Sequence, residues 1–577
     1  IALTIENNLD VELQRFGPRV AESDVLRAQG GGLLRGVPLT LRQLPQGVGG
    51  PGAPLLSTVG GTSPVSNVPS NFADLATITE QTVDLSVLGS TPLSNGVLPP
   101  SFDPAIVGTV QWQRQSLPQA SVLTYGTTSL NNNNWLGNVS LQKSFETGGT
   151  VSIGYNQNYV NSNGLRADYN PYTSTSLGIT VTQPLLQGFS IATNRRFIRI
   201  ARNNERITDF VFRQQLIETV AGVIRLYWDL VSLIEDVRVK QQALALAQKL
   251  YEDNKAQVEV GTLAPLELKR AQAEVARSRQ DLTSSENLVA QQELLMKNVI
   301  TRTGPADPLL LMARIVPLDH IEVPAQEDIQ PVQDLLAAAV QNRPDLAQAG
   351  IQLDNSNISL KGSKNELLPQ LNFIGSLQNG ALTGDPNSNP APTSLGITRL
   401  PDSFFLGGFG NTLGQLFGHN FPNYTVGVQL DIPLKNRVAQ ADVVRDELQV
   451  RQSEVRLRAL QNQIRLEVQN ALVALQRARA TYDAAVETRQ LQEEAFAAEQ
   501  ERFTVGASTS FIVIQYQRDL EQARSTEVVA KNNYAKARAA LDRAVGSTLV
   551  KNDVDVQDAY RGHVAKPPSA LPPIDQK

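Results

Sequence analysis

The residue types that most often carry catalysis or metal binding are scarce and scattered in this chain. Its three histidines, His320, His419 and His563, are too far apart in sequence to show the spacing of a metal site. The chain has no cysteine, which excludes disulfides, thiolate metal sites, cysteine nucleophiles and a cysteine-linked lipid anchor. Nucleophile-elbow, zinc-protease, Walker A and dinucleotide-binding motifs are also missing. The sequence therefore predicts a protein that is not an enzyme and that uses no metal or cofactor.

Composition narrows the possible partners. The 577 residues carry 51 basic and 56 acidic side chains, a net charge of −5, without a strongly basic block, so nucleic acid is not expected as a partner. The sequence contains no apolar run of roughly eighteen residues, the length that a membrane-spanning helix requires. Any membrane contact is therefore expected through β-strands. The opening residues, IALTIENNLD, are typical of the start of a mature domain, and we expect that a signal peptide has been removed.

Four segments place apolar or small residues at steps of three and four, the spacing of a coiled-coil seam. They cover residues 190–258, 266–300, 438–503 and 509–545. The first and third segments would form helices about 100 Å long. A Val-Gly pair, Val260-Gly261 or Val505-Gly506, separates each long segment from the shorter one that follows. The sequence therefore predicts two helical hairpins, each with one long and one short arm.

Other segments alternate apolar with small polar residues over about ten positions, as strands of a membrane β-barrel do. The clearest are TVSIGYNQNYV (150–160), LGITVTQPLL (177–186) and YTVGVQLDIPL (424–434), and weaker ones are PAIVGTVQWQRQ (104–115) and LPQLNFIGSLQNG (368–380). Strands of a soluble β-sandwich alternate in the same way. Taken alone, these segments favour the sandwich, because soluble β-proteins are more common.

Several stretches lack either period and are predicted to be irregular. Residues 36–100 are rich in Gly, Pro, Ser and Val. The sequence NNNN at 131–134 is predicted to form a loop tip, and GGFGNTLG at 407–414 a flexible loop at a rim. The tail over residues 551–577 is predicted to be extended.

The two halves of the chain repeat one another. Gly261 and Gly506 are 245 positions apart, and at this offset the helical seams stay in phase. Upstream, ENNLDVEL (6–13) matches QNRPDLAQ (341–348), and TVTQPLLQG (180–188) matches QLDIPLKNR (429–437). An extra β-hairpin is expected around FETGGT (145–150) in the first half. A repeat of this length indicates a duplicated structural unit.

The number of strands limits how they could cross a membrane. One chain supplies about four to six strands, whereas closed membrane barrels have at least about eight. A bilayer accepts β-structure only as a closed barrel, because open edges leave backbone groups unpaired in lipid. If these strands lie in a membrane, several chains therefore share one barrel, and the helices continue it as a tube.

This duplicated unit, with its QPLL and IPLK strand ends, its ENN-D and QNRPDL openings and its two Val-Gly turns, resembles the TolC-like outer-membrane efflux family over residues 1–35 and 97–547. The resemblance implies an α+β membrane protein of two repeats, with a β-barrel shared by three subunits in the bacterial outer membrane. A long α-helical coiled-coil barrel would continue it into the periplasm. The implied function is the passive exit duct of a tripartite efflux or type I secretion system. The implied partners are two further copies, a periplasmic adaptor protein, an inner-membrane transporter and outer-membrane lipid.

The resemblance also assigns a place to each segment. They are an N-terminal helix (1–35), the Gly/Pro-rich insertion (36–100), barrel strands of repeat 1 (101–187), its long helix, Val-Gly turn and shorter helix (188–303), an equatorial linker (304–330), the first helix of repeat 2 (331–366), its barrel strands and loop (367–436), its long helix, turn and shorter helix (437–547) and an extended tail (548–577).

In this family the Val-Gly turns form the periplasmic tip, which meets the adaptor. The residues that would do so here are Val260, Gly261, Thr262, Val505, Gly506 and Ala507. The simpler role of the two glycines is to end a helix, and that role holds in either case.

Family members often narrow the tube just after each turn with rings of acidic residues, which repel one another and bind cations. This chain departs from that pattern, because Ile512 and Gln515 stand at the positions in the second repeat. The first repeat keeps one acid, Glu267. These three residues are the candidate constriction, and the alternative is that Glu267 is only a solvated helix residue.

The alternative for the whole chain is a periplasmic coiled-coil scaffold without channel activity, which explains the seams but not the strands.

Overall fold

The computed structural model describes residues 1–36, 41–45, 47–48, 82–83, 101–261, 263–325, 327, 330–390 and 400–562. Its helices are α1 (Ala2–Asn7), α2 (Leu9–Gln29), α3 (Val122–Tyr125), α4 (Ile191–Asn194), α5 (Arg196–Glu259), α6 (Pro265–Ile300), α7 (Pro308–Met312), α8 (Val332–Asn342), α9 (Pro344–Glu366), α10 (Phe409–Phe417), α11 (Arg437–Thr504), α12 (Ser510–Val545), α13 (Thr548–Lys551) and α14 (Val556–Arg561). Its strands are β1 (Leu41–Arg42), β2 (Thr82–Val83), β3 (Ala105–Pro118), β4 (Ser129–Ser144), β5 (Thr150–Ser162), β6 (Tyr169–Pro184), β7 (Gln370–Pro386) and β8 (Phe421–Asp431).

The long helices form at the positions that the seam spacing predicts. Helix α5 has 64 residues and α11 has 68, so each is about 100 Å long. Helix α5 packs against α6, α11 packs against α12, and α12 also packs against α5, which joins the two hairpins. Small buried residues such as Ala243, Ala271 and Ser278 allow this close approach. Among the described helices, none combines the length and the apolarity that crossing a bilayer requires.

The described strands β3 to β8 form one antiparallel sheet of six strands, in the same order as in the chain. All five strands that the alternation predicts are present in it, and β4 is the additional strand that the expected hairpin at 145–150 requires. This hairpin lies within the sheet, because β4 pairs with β3 on one side and β5 pairs with β6 on the other. It therefore widens the sheet by two strands.

Two predicted loops prove to be regular structure, and the tail predicted to be extended contains helix α14 at Val556–Arg561, while residues 563–577 lie outside the described residues. Residues 131–134 lie inside β4, where all four pair with β3 and residues 132–134 also pair with β5. This pairing satisfies the backbone and outweighs the low strand propensity of asparagine. Residues 409–414 belong to α10, whose polar side chains bond to β7, a tertiary contact that the local sequence does not report.

The duplication is visible in equivalent contacts at the start of each repeat. The Asn8 amide donates to the carbonyl of Val299 at 3.3 Å, and Arg343 donates to the carbonyl of Ala544 at 3.4 Å. The two carbonyls are 245 positions apart, the same offset as the Val-Gly turns. Each repeat therefore ties the break between its first helices to the end of its own short arm.

Arg343 also bridges three elements of the second repeat. Its guanidinium contacts the carboxylate of Asp345 at 2.6 Å and that of Glu467 on α11 at 2.6 Å, with a side chain that is 15% exposed. Asn8 instead caps α2 by accepting from the backbone amides of Asp10 and Val11. The two positions thus perform the same joining role with different chemistry.

We expect Arg343→Ala to destabilise the protein by about 2 kcal/mol, because it removes the ion pair with Asp345 and one of the two ion pairs of Glu467, which keeps Arg543. Asn8→Ala removes one helix cap and should cost about 1 kcal/mol. Thermal unfolding of both purified variants, followed by circular dichroism at the helical signal, measures the difference. Equal shifts of the unfolding midpoint would contradict a bridging role for Arg343.

Candidate functional site

Both Val-Gly turns reverse the chain through a left-handed glycine. Gly261 has φ +84° and Gly506 has φ +76°, and an added Cβ would meet no atom within 4 Å at either position. Glycine is therefore required by the backbone conformation and not by crowding. In the second turn the amide of Gly506 donates to the carbonyl of Phe503 and that of Ala507 to the carbonyl of Arg502. This pair of bonds is a Schellman motif, which satisfies the last carbonyls of α11.

The two turns lie side by side and are linked. The Ser510 hydroxyl, at the start of α12, donates to Glu267 Oε2 in the first turn of α6 at 2.5 Å. The guanidinium of Arg270 contacts Glu267 Oε1 at 2.7 Å and lies 5.3 Å from the centre of the Phe511 ring. Further along, Arg518 bonds to the buried carboxylate of Glu274, and this hydrogen bond raises the pKa of Arg518. The two hairpin ends therefore present one continuous surface.

Apolar side chains are exposed at this end. Val260 and Val505 are each 79% exposed, and Ala507 is also exposed, while Thr262 lies outside the described residues. Leu266 and Phe511, which the sequence analysis did not single out, are exposed beside them. Their position in the first turn of each short arm was the sequence feature that could have identified them. Exposed apolar residues at the end of an otherwise polar helical rod are typical of a protein contact surface.

The three candidate constriction residues do not form one group in a single chain. Glu267 is bonded through both carboxylate oxygens, and its side chain is 16% exposed. Ile512 and Gln515 lie on an exposed stripe of α12, and within the described chain neither has a hydrogen bond or ion pair with Glu267. Asp519 continues this stripe at the next helical step, with an exposed side chain. The spacing of 512, 515 and 519 was the sequence signal that could have identified it.

The sheet has two chemically different faces. One row of opposed residues crosses every strand on one face and is apolar and exposed throughout: Ile106, Leu141, Ile153, Ile179, Leu377 and Tyr424. The adjacent row, on the other face, is mostly small or polar: Val107, Ser140, Gly154, Gly178, Gln378 and Asn423. We call the first side the apolar face. A soluble monomer rarely leaves such an area uncovered.

The two outer strands of the sheet are unpaired along their free edges. In the part of the chain that the structure describes, β3 pairs only with β4, and β8 pairs only with β7. Both edges are long, with 14 residues in β3 and 11 in β8. Unpaired edges of this length present rows of free backbone donors and acceptors to another strand.

The described residues contain no group of three or more His, Asp or Glu side chains that could hold a metal ion. His419 is bonded instead to the Asn379 amide at 2.7 Å, and His563 lies outside the described residues.

Comparisons with known proteins agree with this geometry. The family model described as outer membrane efflux protein matches residues 101–300 and 335–547. The CmeC outer membrane channel of Campylobacter jejuni is similar in structure, with 13% identity and a TM-score of 0.55 over 98% of this chain and 89% of that one. A membrane protein from Pseudomonas aeruginosa gives 15% identity and 0.51 over 77% and 85%. The outer membrane protein VceC of Vibrio cholerae gives 14% and 0.50 over 72% and 87%. No curated protein sequence matches the chain.

We expect Gly506→Val to loosen the second turn, because a β-branched residue at positive φ is strained by about 1–2 kcal/mol. Gly506→Asn should stay close to wild type, since asparagine tolerates the left-handed conformation. Hydrogen exchange over residues 498–512 of the purified protein measures the effect. Equal exchange in the two variants would contradict a requirement for a residue that tolerates the left-handed conformation at position 506.

Proposed function

This chain belongs to the outer membrane efflux protein family, and from that premise we propose that it is a passive exit duct. In this proposal three copies close one barrel in the outer membrane, and their helices continue it as a tube into the periplasm. An adaptor protein and an inner-membrane transporter complete a tripartite efflux or type I secretion system. The chain itself supplies a path and performs no chemistry.

The observation that carries this proposal is the apolar row, which crosses the whole sheet beside a row of small and polar residues. Hydrocarbon suits the first face and water suits the second, as in membrane barrels with an aqueous interior. A bilayer accepts such a sheet only when its edges are paired. The free edges of β3 and β8 in neighbouring copies can pair with each other, which removes both edges at once.

The six described strands also set the width of the proposed barrel. Three copies give eighteen strands, which lies within the range of outer-membrane barrels. Barrels of about 16 to 18 strands are wide enough to leave an aqueous channel. The hairpin of β4 and β5 contributes a third of these strands, so it enlarges the opening at the cell surface.

The far end of the helices is the proposed contact for the adaptor. Val260, Gly261, Val505, Gly506 and Ala507 form this surface together with the exposed Leu266 and Phe511. Thr262 belongs to it by its position in the sequence.

The neighbouring stripe of Ile512 and Gln515 is the proposed constriction, with Glu267 beside it. Asp519 on the same stripe would give three carboxylates at one level of the tube and favour cations there.

The scaffold alternative predicts a protein that washes off membranes. We expect the duct to remain in outer membranes after carbonate washing and to have, in detergent, about three times the 62.7 kDa mass of the chain. Native mass spectrometry of the extracted protein measures this. A carbonate-soluble monomer or dimer would overturn the proposed function.

Cross-linking tests whether β3 of one copy meets β8 of the next. The chain has no cysteine, so Thr109→Cys on β3 and Thr425→Cys on β8 introduce the only thiols. A bifunctional maleimide should convert the double variant into a covalent trimer, because both residues lie on the small-polar face of an edge strand. The matched control combines Thr109→Cys with Asn156→Cys on the interior strand β5, and it should give no trimer. Equal products from both pairs would argue against edge pairing.

Charge at the tip should block the adaptor contact. We expect the double variant Val260→Asp and Val505→Asp to form trimers but to lose export, because it places charge on an apolar contact surface. Dye accumulation in cells that lack the wild-type gene measures the loss. Val550→Asp, at a residue that is 80% exposed on α13, is the control and should export normally. Normal export by the double tip variant would remove these turns from the contact.

A further inference from the structure

Helix α10 is attached to the sheet by its polar side chains. The Thr412 hydroxyl lies 2.7 Å from the Thr383 hydroxyl of β7, and the Gln415 side chain accepts from the amide of Leu382 at 3.0 Å. The Asn379 amide donates to the carbonyl of Leu416 at 3.0 Å. Thr412 and Gln415 are 1% and 2% exposed. The buried side of this helix therefore carries two hydrogen-bonded polar residues together with Leu416, which is 1% exposed.

The outward side of α10 is aromatic. Phe409 and Phe417 are 59% and 69% exposed at opposite ends of the helix. A helix on the surface of a soluble protein usually keeps its large aromatic residues inside and its polar residues outside. Helix α10 instead buries Thr412 and Gln415 beside Leu416 and exposes two phenylalanines. Exposing this side of α10 to water is thus unfavourable.

The position of α10 on the sheet indicates what surrounds it. Trp112, Trp135 and Tyr159 are opposed in one row across β3, β4 and β5, on the apolar face. The same row continues as Thr173 on β6 and Thr383 on β7. Helix α10 bonds to Thr383, where the row has lost its aromatic residues, and presents Phe409 and Phe417 instead. Belts of aromatic residues are typical of a barrel where the apolar core of the bilayer meets the headgroups.

Composition supports an apolar environment for the whole segment. Residues 403–430 contain no Asp, Glu, Lys or Arg, and five of the 17 phenylalanines of the chain lie between 404 and 421. Two of them, Phe405 and Phe421, stack at 5.8 Å and join the chain before α10 to the chain after it. The helix is therefore held by this contact between its flanking segments as well as by its hydrogen bonds to β7.

We propose that α10 is an interfacial helix that immerses Phe409 and Phe417 in the lipid of the outer leaflet, beside the barrel. It completes the aromatic belt over β6 and β7, where the sheet supplies only threonine. A helix of this kind sits about 5–10 Å into the boundary between headgroups and acyl chains. The inference rests on the proposed function, because it requires the apolar face to lie in a membrane.

Fluorescence quenching tests the proposal. Phe409→Cys and Phe417→Cys are each labelled with an environment-sensitive fluorophore, and the protein is reconstituted in phosphatidylcholine–phosphatidylethanolamine vesicles. We expect nitroxide lipids to quench both labels several times more strongly than aqueous iodide. A nitroxide close to the headgroup should quench more than one at the end of the acyl chain, in line with the interfacial depth.

Two control positions separate the possible results. Val428→Cys, on the apolar face of β8, should be quenched by lipid, and Val550→Cys on α13 should be quenched by iodide. If Val428 reports lipid and both α10 positions report iodide, the inference about α10 is wrong and the proposed function stands. If both α10 labels are shielded from both quenchers, a neighbouring copy covers the helix and the inference is also overturned. If Val428 itself reports water, the proposed function fails.

Discussion

The architecture depends on one constraint, the pairing of backbone hydrogen bonds at the two free edges of the sheet. Each interior strand is paired with a neighbouring strand on both sides, whereas β3 and β8 each have one open side. The apolar row between these edges favours hydrocarbon, and hydrocarbon is where an unpaired backbone group costs the most free energy. The chain therefore cannot place this face in a membrane alone, and the proposed assembly follows from that incompatibility.

The helices meet a different constraint. Each long helix extends about 100 Å, and the chain then has to reverse direction into the shorter helix. Two left-handed glycines reverse the chain within a few residues, and seams of alanine and serine allow the arms to pack closely. Polar contacts then hold these helices in place. Ser510 with Glu267 joins the turns of the two repeats, and Arg343 with Glu467 joins elements within the second repeat. Both contacts leave the apolar residues of the turns exposed.

The two ends of the molecule offer surfaces of distinct kinds. The turns present valine, leucine and phenylalanine at the end of a polar rod, which suits a protein partner. The sheet presents a continuous apolar face, with tryptophan and tyrosine along one row, which suits lipid. Helix α10 fits the second surface, because Thr412 and Gln415 bond to β7 whereas Phe409 and Phe417 remain exposed. The chain belongs to the outer membrane efflux protein family, and in the proposed function these two ends are parts of one export path.

Sequence periodicity alone predicted the four long helices, five of the strands and the duplication, because both periods are local properties of the chain. The sequence also predicted that Gly261 and Gly506 end their helices, since glycine is the usual residue where a helix stops and the chain reverses. Tertiary structure decided what depends on distant partners. Residues 131–134 are in a strand because the neighbouring strands pair with them, and the helix over 409–414 is held by the hydrogen bond between Thr412 and Thr383 of β7. The link between Glu267 and Ser510 spans 243 positions, and no local pattern could report it. Whether the strands belonged to a soluble sandwich or to a sheet with one exposed apolar face was likewise settled by register, which aligns six apolar residues from six separate segments in one row.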